Sequence, residues 1–209
     1  MKNSQFKTKI VNAIKEIDKH DLAYLLLTSK SERTFRDKVA CYFHKRDRKD
    51  FFIAREHYIK KSHKTFYDLA IFKRTKKSKK RKIPIIVAEF KVSAIPTHMN
   101  HFIEDLKNFK KRGYREPKKF IIMLTGIQDK LFEDAYEGIV KWHKERNSLL
   151  SDNQNKVGQE RAIENAKKSF EKMIGDSSIS KKKIQSEEIE QCKYYDKNII
   201  ALLWVVGPI

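Results

Sequence analysis

The stretch 66–93 decides the fold of this chain and reads FYDLAIF, KRTKKSKKRK and IPIIVAEFKVS in turn. Successive side chains of a strand point to opposite faces, so Glu89 and Lys91 share one face of the last run. A nearly unbroken apolar run is typical of a strand covered on both faces. Charged groups in a covered strand carry a large desolvation cost. We therefore expect them to pair, bind a metal ion or line a cleft.

A third charged residue, Asp68, lies in the first apolar run. If the strands 66–73 and 84–93 form a hairpin through the lysine-rich segment, the ends nearest Asp68 and Glu89 come side by side. Clustered carboxylate oxygens are the hard ligands that Mg²⁺ or Mn²⁺ prefers. Lys91 could then orient or deprotonate a water molecule, or stabilise charge on phosphorus. The alternative interpretation is a pair of charges on the solvated side of an edge strand.

Hydrophobic periodicity and turn residues predict the remaining elements. The apolar residues of 6–27 favour a helix, or a helix pair broken near His20 and Asp21, and a second helix follows a cap at Ser29 or Ser31. The further elements predicted are strands at 51–60, 66–73 and 83–93, a helix at 98–112, a strand at 119–125, helices at 129–149 and 158–174, a linker GDSSISKKK, and a last strand at 197–206. The order around the charged residues is therefore α-β-β-β-α-β.

With this order, and with Asp68 followed by Glu89-Phe90-Lys91, the chain resembles the PD-(D/E)xK nuclease superfamily, which has the restriction-endonuclease-like fold. Tyr67 stands where the family pattern has proline. The resemblance implies an α/β fold with an αβββαβ core, a central mixed sheet flanked by helices, and a C-terminal helical elaboration. We expect one domain, 1–209. Its core would span about 29–125 plus strand 197–206, with a helical insertion at about 127–175.

The resemblance also implies a site. Asp68, Glu89 and Lys91 would be the catalytic residues, and Asp68, Glu89 and the backbone carbonyl of Phe90 would be ligands of Mg²⁺ or Mn²⁺. Glu32 and Glu56 are candidates for one more acidic ligand. For Glu32, the alternative is a helix N-terminal glutamate that complements the helix dipole.

The charge of the chain predicts a polyanionic partner. Its 47 Lys and Arg against 27 Asp and Glu give a formal charge of +20, because acidic residues do not keep pace with basic ones. Neutralising phosphates releases counterions condensed on nucleic acid. The densest patch is expected to lie next to the active site and contact the phosphate backbone, although a solvated hairpin tip is the alternative. It comprises Lys73, Arg74, Lys76, Lys77, Lys79, Lys80, Arg81 and Lys82.

These observations predict a metal-dependent nuclease that hydrolyses DNA phosphodiester bonds, either a restriction-type endonuclease or a junction or repair nuclease. The second interpretation is a non-catalytic basic nucleic-acid-binding protein with a degenerate nuclease fold. The helices from 129 to 174 would supply a homodimer surface or a DNA-reading element. Two cysteines without metal spacing, no signal-peptide pattern and no membrane-length apolar run favour a cytoplasmic, DNA-bound or nucleoid-associated protein without a membrane partner.

Overall fold

The computed structural model describes residues 1–27, 32–58, 66–74, 83–92, 107–109, 117–128, 156–176, 184–194 and 197–209. Its helices are α1 (Asn3–Lys15), α2 (Lys19–Leu27), α3 (Glu32–Asp47) and α4 (Lys156–Asp176). Its strands are β1 (Phe51–Tyr58), β2 (Phe66–Lys73), β3 (Ile86–Val92), β4 (Lys118–Gln128), β5 (Ile184–Tyr194) and β6 (Lys197–Val206).

The described strands form one six-stranded sheet in the order β1-β2-β3-β4-β6-β5. Only β3 and β4 are parallel, and the other neighbours run antiparallel. The parallel pair requires a crossover connection, whereas β1–β2, β2–β3 and β5–β6 are antiparallel neighbours in sequence. The prediction of an α/β protein with a mixed sheet flanked by helices is confirmed, and the sheet is mostly antiparallel.

Alternation along the inner strands divides the apolar residues between two cores. On β4, Phe120 and Ile122 belong to a core built with α1, α2 and α3, while Ile121 and Met123 belong to a second core that includes residues of α4. Phe35 of α3 packs edge-on against Phe90 of β3, with ring centroids 5.3 Å apart. Both faces of the central strands are therefore covered, as their continuous apolar sequence predicted.

Several element boundaries differ from the predicted ones. The break between the first two helices lies at residues 16–18, before His20, because Asp18 caps α2 and its Oδ1 accepts hydrogen bonds from the backbone N–H groups of His20 and Asp21 at 2.8 and 3.3 Å. Strand β4 continues through Gly126 to Gln128, so the helical insertion cannot begin at 127.

The C-terminal part of the chain contains more sheet than predicted. The helix at 158–174 is confirmed as α4, but the polar stretch that follows the predicted linker is strand β5, which was missed. The elaboration therefore includes the β5–β6 hairpin as well as a helix. The predicted helix at 129–149 lies outside the described residues. Of the helix at 98–112, residues 107–109 are described and helical.

Within the described ranges, none of the helices is both long enough and apolar enough to cross a lipid bilayer.

Candidate active site

The candidate site lies where strands β2 and β3 separate. Their paired residues are Ile71 with Ile86, Ala70 with Val87, and Leu69 with Ala88. The next residues in this register are Asp68 and Glu89, but the ladder of paired residues ends at Leu69 and Ala88. Instead, the Asp68 side chain enters the opening, and its Oδ2 accepts a hydrogen bond of 2.9 Å from the backbone N–H of Phe90. Asp68 is thus tied directly to the Glu-x-Lys segment, as the hairpin hypothesis predicted.

The Asp68 carboxyl is buried, with 7% of the residue exposed. Burial raises the pKa of this carboxyl, because desolvation disfavours the charged form. The hydrogen bond from Phe90 and the positive charges of Lys91 and Arg36 oppose the rise in pKa, while the negative charge of Glu56 adds to it. A buried carboxyl among charged groups at a strand end is a common feature of functional sites.

A local distortion of β1 and β2 brings two carboxylates to the same helix. Tyr67 and Leu69 are two residues apart, yet Leu69 belongs to the core of α1–α3 and Tyr67 to the core on the α4 side. The regular alternation of β2 is therefore broken at Asp68. In the register of β1 and β2, the residue opposite Asp68 is Glu56, which has a φ of 49°. The left-handed conformation is rare for a residue other than glycine and often marks a functional position.

Arg36 of α3 joins these carboxylates. Its Nη1 donates a hydrogen bond of 2.8 Å to Oε1 of Glu56, and its Nε donates one of 3.0 Å to Oδ1 of Asp37. The same Nη1 lies 3.8 Å from Oδ1 of Asp68. Burial lowers the pKa of Arg36, but the hydrogen bonds that Arg36 donates to Glu56 and Asp37 outweigh this effect and raise the pKa above its ordinary value.

Arg36 was not predicted as a site residue, although the sequence of α3 contains a signal for it. Arg36 precedes Val39 and Ala40 by three and four residues, and both of these are buried. An arginine on the apolar face of a helix must find partners for its charge, since an unpaired buried charge is costly.

The side chains of Glu89 and Lys91 extend from the same strand but end in different surroundings. Ala88 and Phe90 belong to the α1–α3 core, so alternation directs Glu89 and Lys91 to the opposite face, that of Val87. By this alternation, the two side chains leave β3 on the same face. The long side chain of Lys91 nevertheless places its Nζ 3.8 Å from Oε1 of Glu32 at the start of α3. Glu89 is partly exposed, with its Oε2 enclosed by protein.

No family model, no curated protein and no solved structure is similar to this chain at a significant level.

The candidate ligand atoms match only part of what a divalent-cation site requires. Carboxylate and carbonyl oxygens of Asp68, Glu89 and Phe90 are the hard ligands that Mg²⁺ prefers, and a cation would favour the ionised form of the buried Asp68. Among the described residues, however, no group of three or more His, Cys, Asp or Glu side chains is arranged to hold a metal ion. Both candidates for a further acidic ligand already contact cationic side chains, Glu56 with Arg36 and Glu32 with Lys91.

The basic run does not begin beside this site. Lys73 and Arg74 are exposed at the other end of β2, where Lys73 pairs with Phe51. Lys73 lies five residue steps along β2 from Asp68, which corresponds to about 16 Å. The expectation of a basic hairpin next to the active site is wrong for Lys73 and Arg74, because antiparallel pairing puts the connection of β2 and β3 opposite the opening at Asp68. Residues 75–82 lie outside the described residues.

Replacement of Asp68 by asparagine should stabilise the metal-free protein. The folded pKa of Asp68 is raised above its ordinary value of 3.8, so the ionised carboxylate costs stability at neutral pH. In EDTA at pH 7, we expect Asp68→Asn to increase the free energy of unfolding by about 1 kcal/mol. The gain should shrink as the pH falls through the raised pKa, and should be smallest below 3.8, where the wild-type carboxyl is neutral in both states.

Urea unfolding of both proteins between pH 3.5 and pH 8 measures this difference. Asp21→Asn is the control, because Asp21 forms an exposed ion pair with Lys38 at 2.8 Å. Such pairs contribute little. A wild-type protein that is more stable than Asp68→Asn at neutral pH would contradict the stated effect of burial on Asp68.

Proposed function

We propose that this protein is a metal-dependent nuclease that hydrolyses phosphodiester bonds of DNA. The observation that carries the proposal is the buried carboxylate of Asp68 in the opening between β2 and β3, bonded to the amide of Phe90 and influenced by the charge of Lys91. The described order α3-β1-β2-β3-β4 also supports it, since the resemblance to restriction-endonuclease-like nucleases implies a helix, three strands and a later strand in that order.

Each residue of the site would have a defined role. Asp68, Glu89 and the carbonyl of Phe90 would hold Mg²⁺ or Mn²⁺, which when bound acidifies a water molecule and neutralises phosphate charge. Lys91 would orient the attacking water and offset the negative charge that develops on the phosphoryl oxygens. Glu32 lies close enough to the ammonium of Lys91 to limit its orientation. Arg36 would hold Asp68 ionised and keep Glu56 beside it.

The proposed partner follows from the charge. A net charge of +20 on 209 residues gives the strong, salt-dependent attraction that proteins show for a phosphate backbone. Within this proposal, restriction-type cleavage and cleavage of junctions or damaged DNA are the substrate classes we expect. Hydrolysis of either kind would leave a 5′-phosphate, by analogy with the nuclease superfamily.

A plasmid assay tests the proposal. Supercoiled plasmid incubated with the protein and Mg²⁺ or Mn²⁺ should be nicked or linearised. The same mixture with EDTA should leave the plasmid intact, and so should the Asp68→Ala and Glu89→Ala variants. Cleavage that survives both substitutions would come from another site or a contaminant and would reject the assignment.

A second function has a specific observation in its favour. Arg36 and Lys91 already lie beside the acidic side chains around Asp68, and no three-residue metal group is found in the described part of the chain. That arrangement is also compatible with a basic nucleic-acid-binding protein that keeps the fold without the chemistry. Such a protein would bind the plasmid with strong salt dependence and leave it uncut with every divalent ion, including Mg²⁺, Mn²⁺ and Co²⁺.

A further inference from the structure

A second charged surface lies at the end of α3 that is far from Asp68. The last turn of the helix and the turn after it, residues 44–50, read HKRDRKD, and all of their basic side chains are exposed. Of the two acidic residues in this segment, Asp50 is exposed, whereas Asp47 is buried and is bound by Lys9 with an Nζ to Oδ1 distance of 2.7 Å. Its charge is therefore neutralised from within the fold and does not compensate the exposed cations.

Strand β2 adds two more cations to this surface. The backbone N–H of Arg74 donates a hydrogen bond of 2.8 Å to the carbonyl of Asp50, and Lys73 pairs with Phe51 at the start of β1. Two basic segments that are distant in sequence thus meet at one end of the sheet. We call this surface the α3-end patch, and it comprises His44, Lys45, Arg48, Lys49, Lys73 and Arg74.

The patch borders a groove. A concave space of about 280 Å³ lies between α3 and β1, and its lining includes His44 and Lys45 together with the apolar side chain of Ile53. Arg55 also lines it and is paired with Asp37 at 2.9 Å. In the described part of the chain, no carboxylate lies within ion-pair distance of Lys45, Arg48 or Lys49.

Complementing the helix dipole accounts for only part of this arrangement. Cations are favourable in the last turn of a helix, which explains Lys45 and the neighbouring Arg46, whose guanidinium is paired with Glu16 and lies 4.8 Å from the centre of the Tyr42 ring. Arg48 and Lys49 come after the helix, and Lys73 and Arg74 belong to the end of β2. The helix dipole therefore does not explain why these four cationic residues lie on one surface.

We propose that the α3-end patch binds the phosphate backbone of duplex DNA. Unpaired, exposed cations beside a concave groove can contact successive phosphates without reading base sequence. The choice of DNA as the polyanion rests on the proposed function. The patch lies about 16 Å along β2 from Asp68, a span of about five base pairs of duplex. The patch would therefore contact the duplex about five base pairs from the phosphodiester bond that is cleaved at Asp68.

Two triple variants with the same charge test this inference. The patch variant carries Lys45→Gln, Arg48→Gln and Lys49→Gln, and the control carries Lys15→Gln, Arg161→Gln and Lys172→Gln, which are exposed positions on α1 and α4. Each loses three positive charges, so both fall from +20 to +17. Binding of a fluorescent 20-base-pair duplex is followed by anisotropy in EDTA, over a range of KCl concentrations, so that no cleavage intervenes.

The patch variant should bind the duplex at least tenfold more weakly at low salt, and the slope of log K against log[KCl] should decrease by about 2 to 3. The control should keep the wild-type slope within about 0.5. Equal losses in both variants would show that only total charge matters, and an unchanged slope in the patch variant would show that DNA lies elsewhere. Either result overturns the inference. Because the assay needs no catalysis, a protein that fails to cut plasmid can still pass it.

Discussion

Replacing Lys91 by methionine should lower the rate of plasmid cleavage about 10³-fold, the loss typical for removing one preorganised group that stabilises transition-state charge. Methionine keeps much of the side-chain volume but cannot orient a water molecule or balance charge on a phosphoryl group. Affinity for duplex DNA should change less than about twofold, because only one phosphate contact at most is lost. Single-turnover cleavage with saturating protein, compared with binding in EDTA, separates the two effects.

Lys118→Met is the matched control for Lys91→Met. Lys118 is an exposed lysine on the adjacent strand β4, and it pairs with Ile86 at the end of the sheet away from Asp68. The substitution removes the same charge and introduces the same side chain. Similar cleavage rates for the two variants would mean that Lys91 acts only through the overall charge, and would remove it from the catalytic site.

Replacing Arg36 by methionine should lower the free energy of unfolding by about 3 kcal/mol, the range measured when one partner of a buried ion pair is removed. Arg36 is 6% exposed and contacts three carboxylates, those of Asp37, Glu56 and Asp68. Without the guanidinium, the buried Asp68 loses a neighbouring cation and Glu56 loses its hydrogen bond. Urea denaturation at pH 7 in EDTA measures the change.

Two further variants test why the Arg36→Met substitution lowers the free energy of unfolding. Lys38→Met, two residues along α3, breaks an exposed pair with Asp21 and should cost at most about 0.5 kcal/mol. Adding Asp68→Asn to Arg36→Met should recover about 1 kcal/mol or more, because the uncompensated charge is gone. A double variant no more stable than Arg36→Met alone would show that Arg36 stabilises the fold by packing rather than by neutralising Asp68.

The parts of the fold that could be predicted are those in which local sequence and burial agree. Strand β2 has the predicted bounds, Phe66 and Lys73, and β3 lies within its predicted range. Asp68 and Lys91 stood out because charges in such runs are costly. Strand β5 was missed because its sequence, IQSEEIEQCKY, is mostly polar, and an outer strand needs few apolar residues.

Other features of the site depend on tertiary structure. The apolar periodicity of α3 separates the buried Arg36 from the exposed Arg33, but no local pattern shows that Arg36 contacts Glu56 and Asp68, which belong to two strands. The positive φ of Glu56 could not be predicted from the sequence either, because glutamate has no preference for that conformation. The predicted position of Lys73 and Arg74 was wrong for a different reason. The antiparallel pairing of β2 and β3 was predicted, but it places Lys73 and Arg74 at the end of β2 away from Asp68.

Among the described strands, β1 lies at one margin of the sheet, so half of its backbone hydrogen-bonding groups face away from β2. The free N–H and C=O groups of a straight edge strand can form hydrogen bonds with a strand of another polypeptide. Such pairing is a common route to fibrils. The left-handed residue Glu56 interrupts such pairing three residues after Ile53, because an incoming strand cannot continue its ladder past it. We therefore expect the distortion that brings a carboxylate to Arg36 also to disfavour edge-to-edge pairing of this strand.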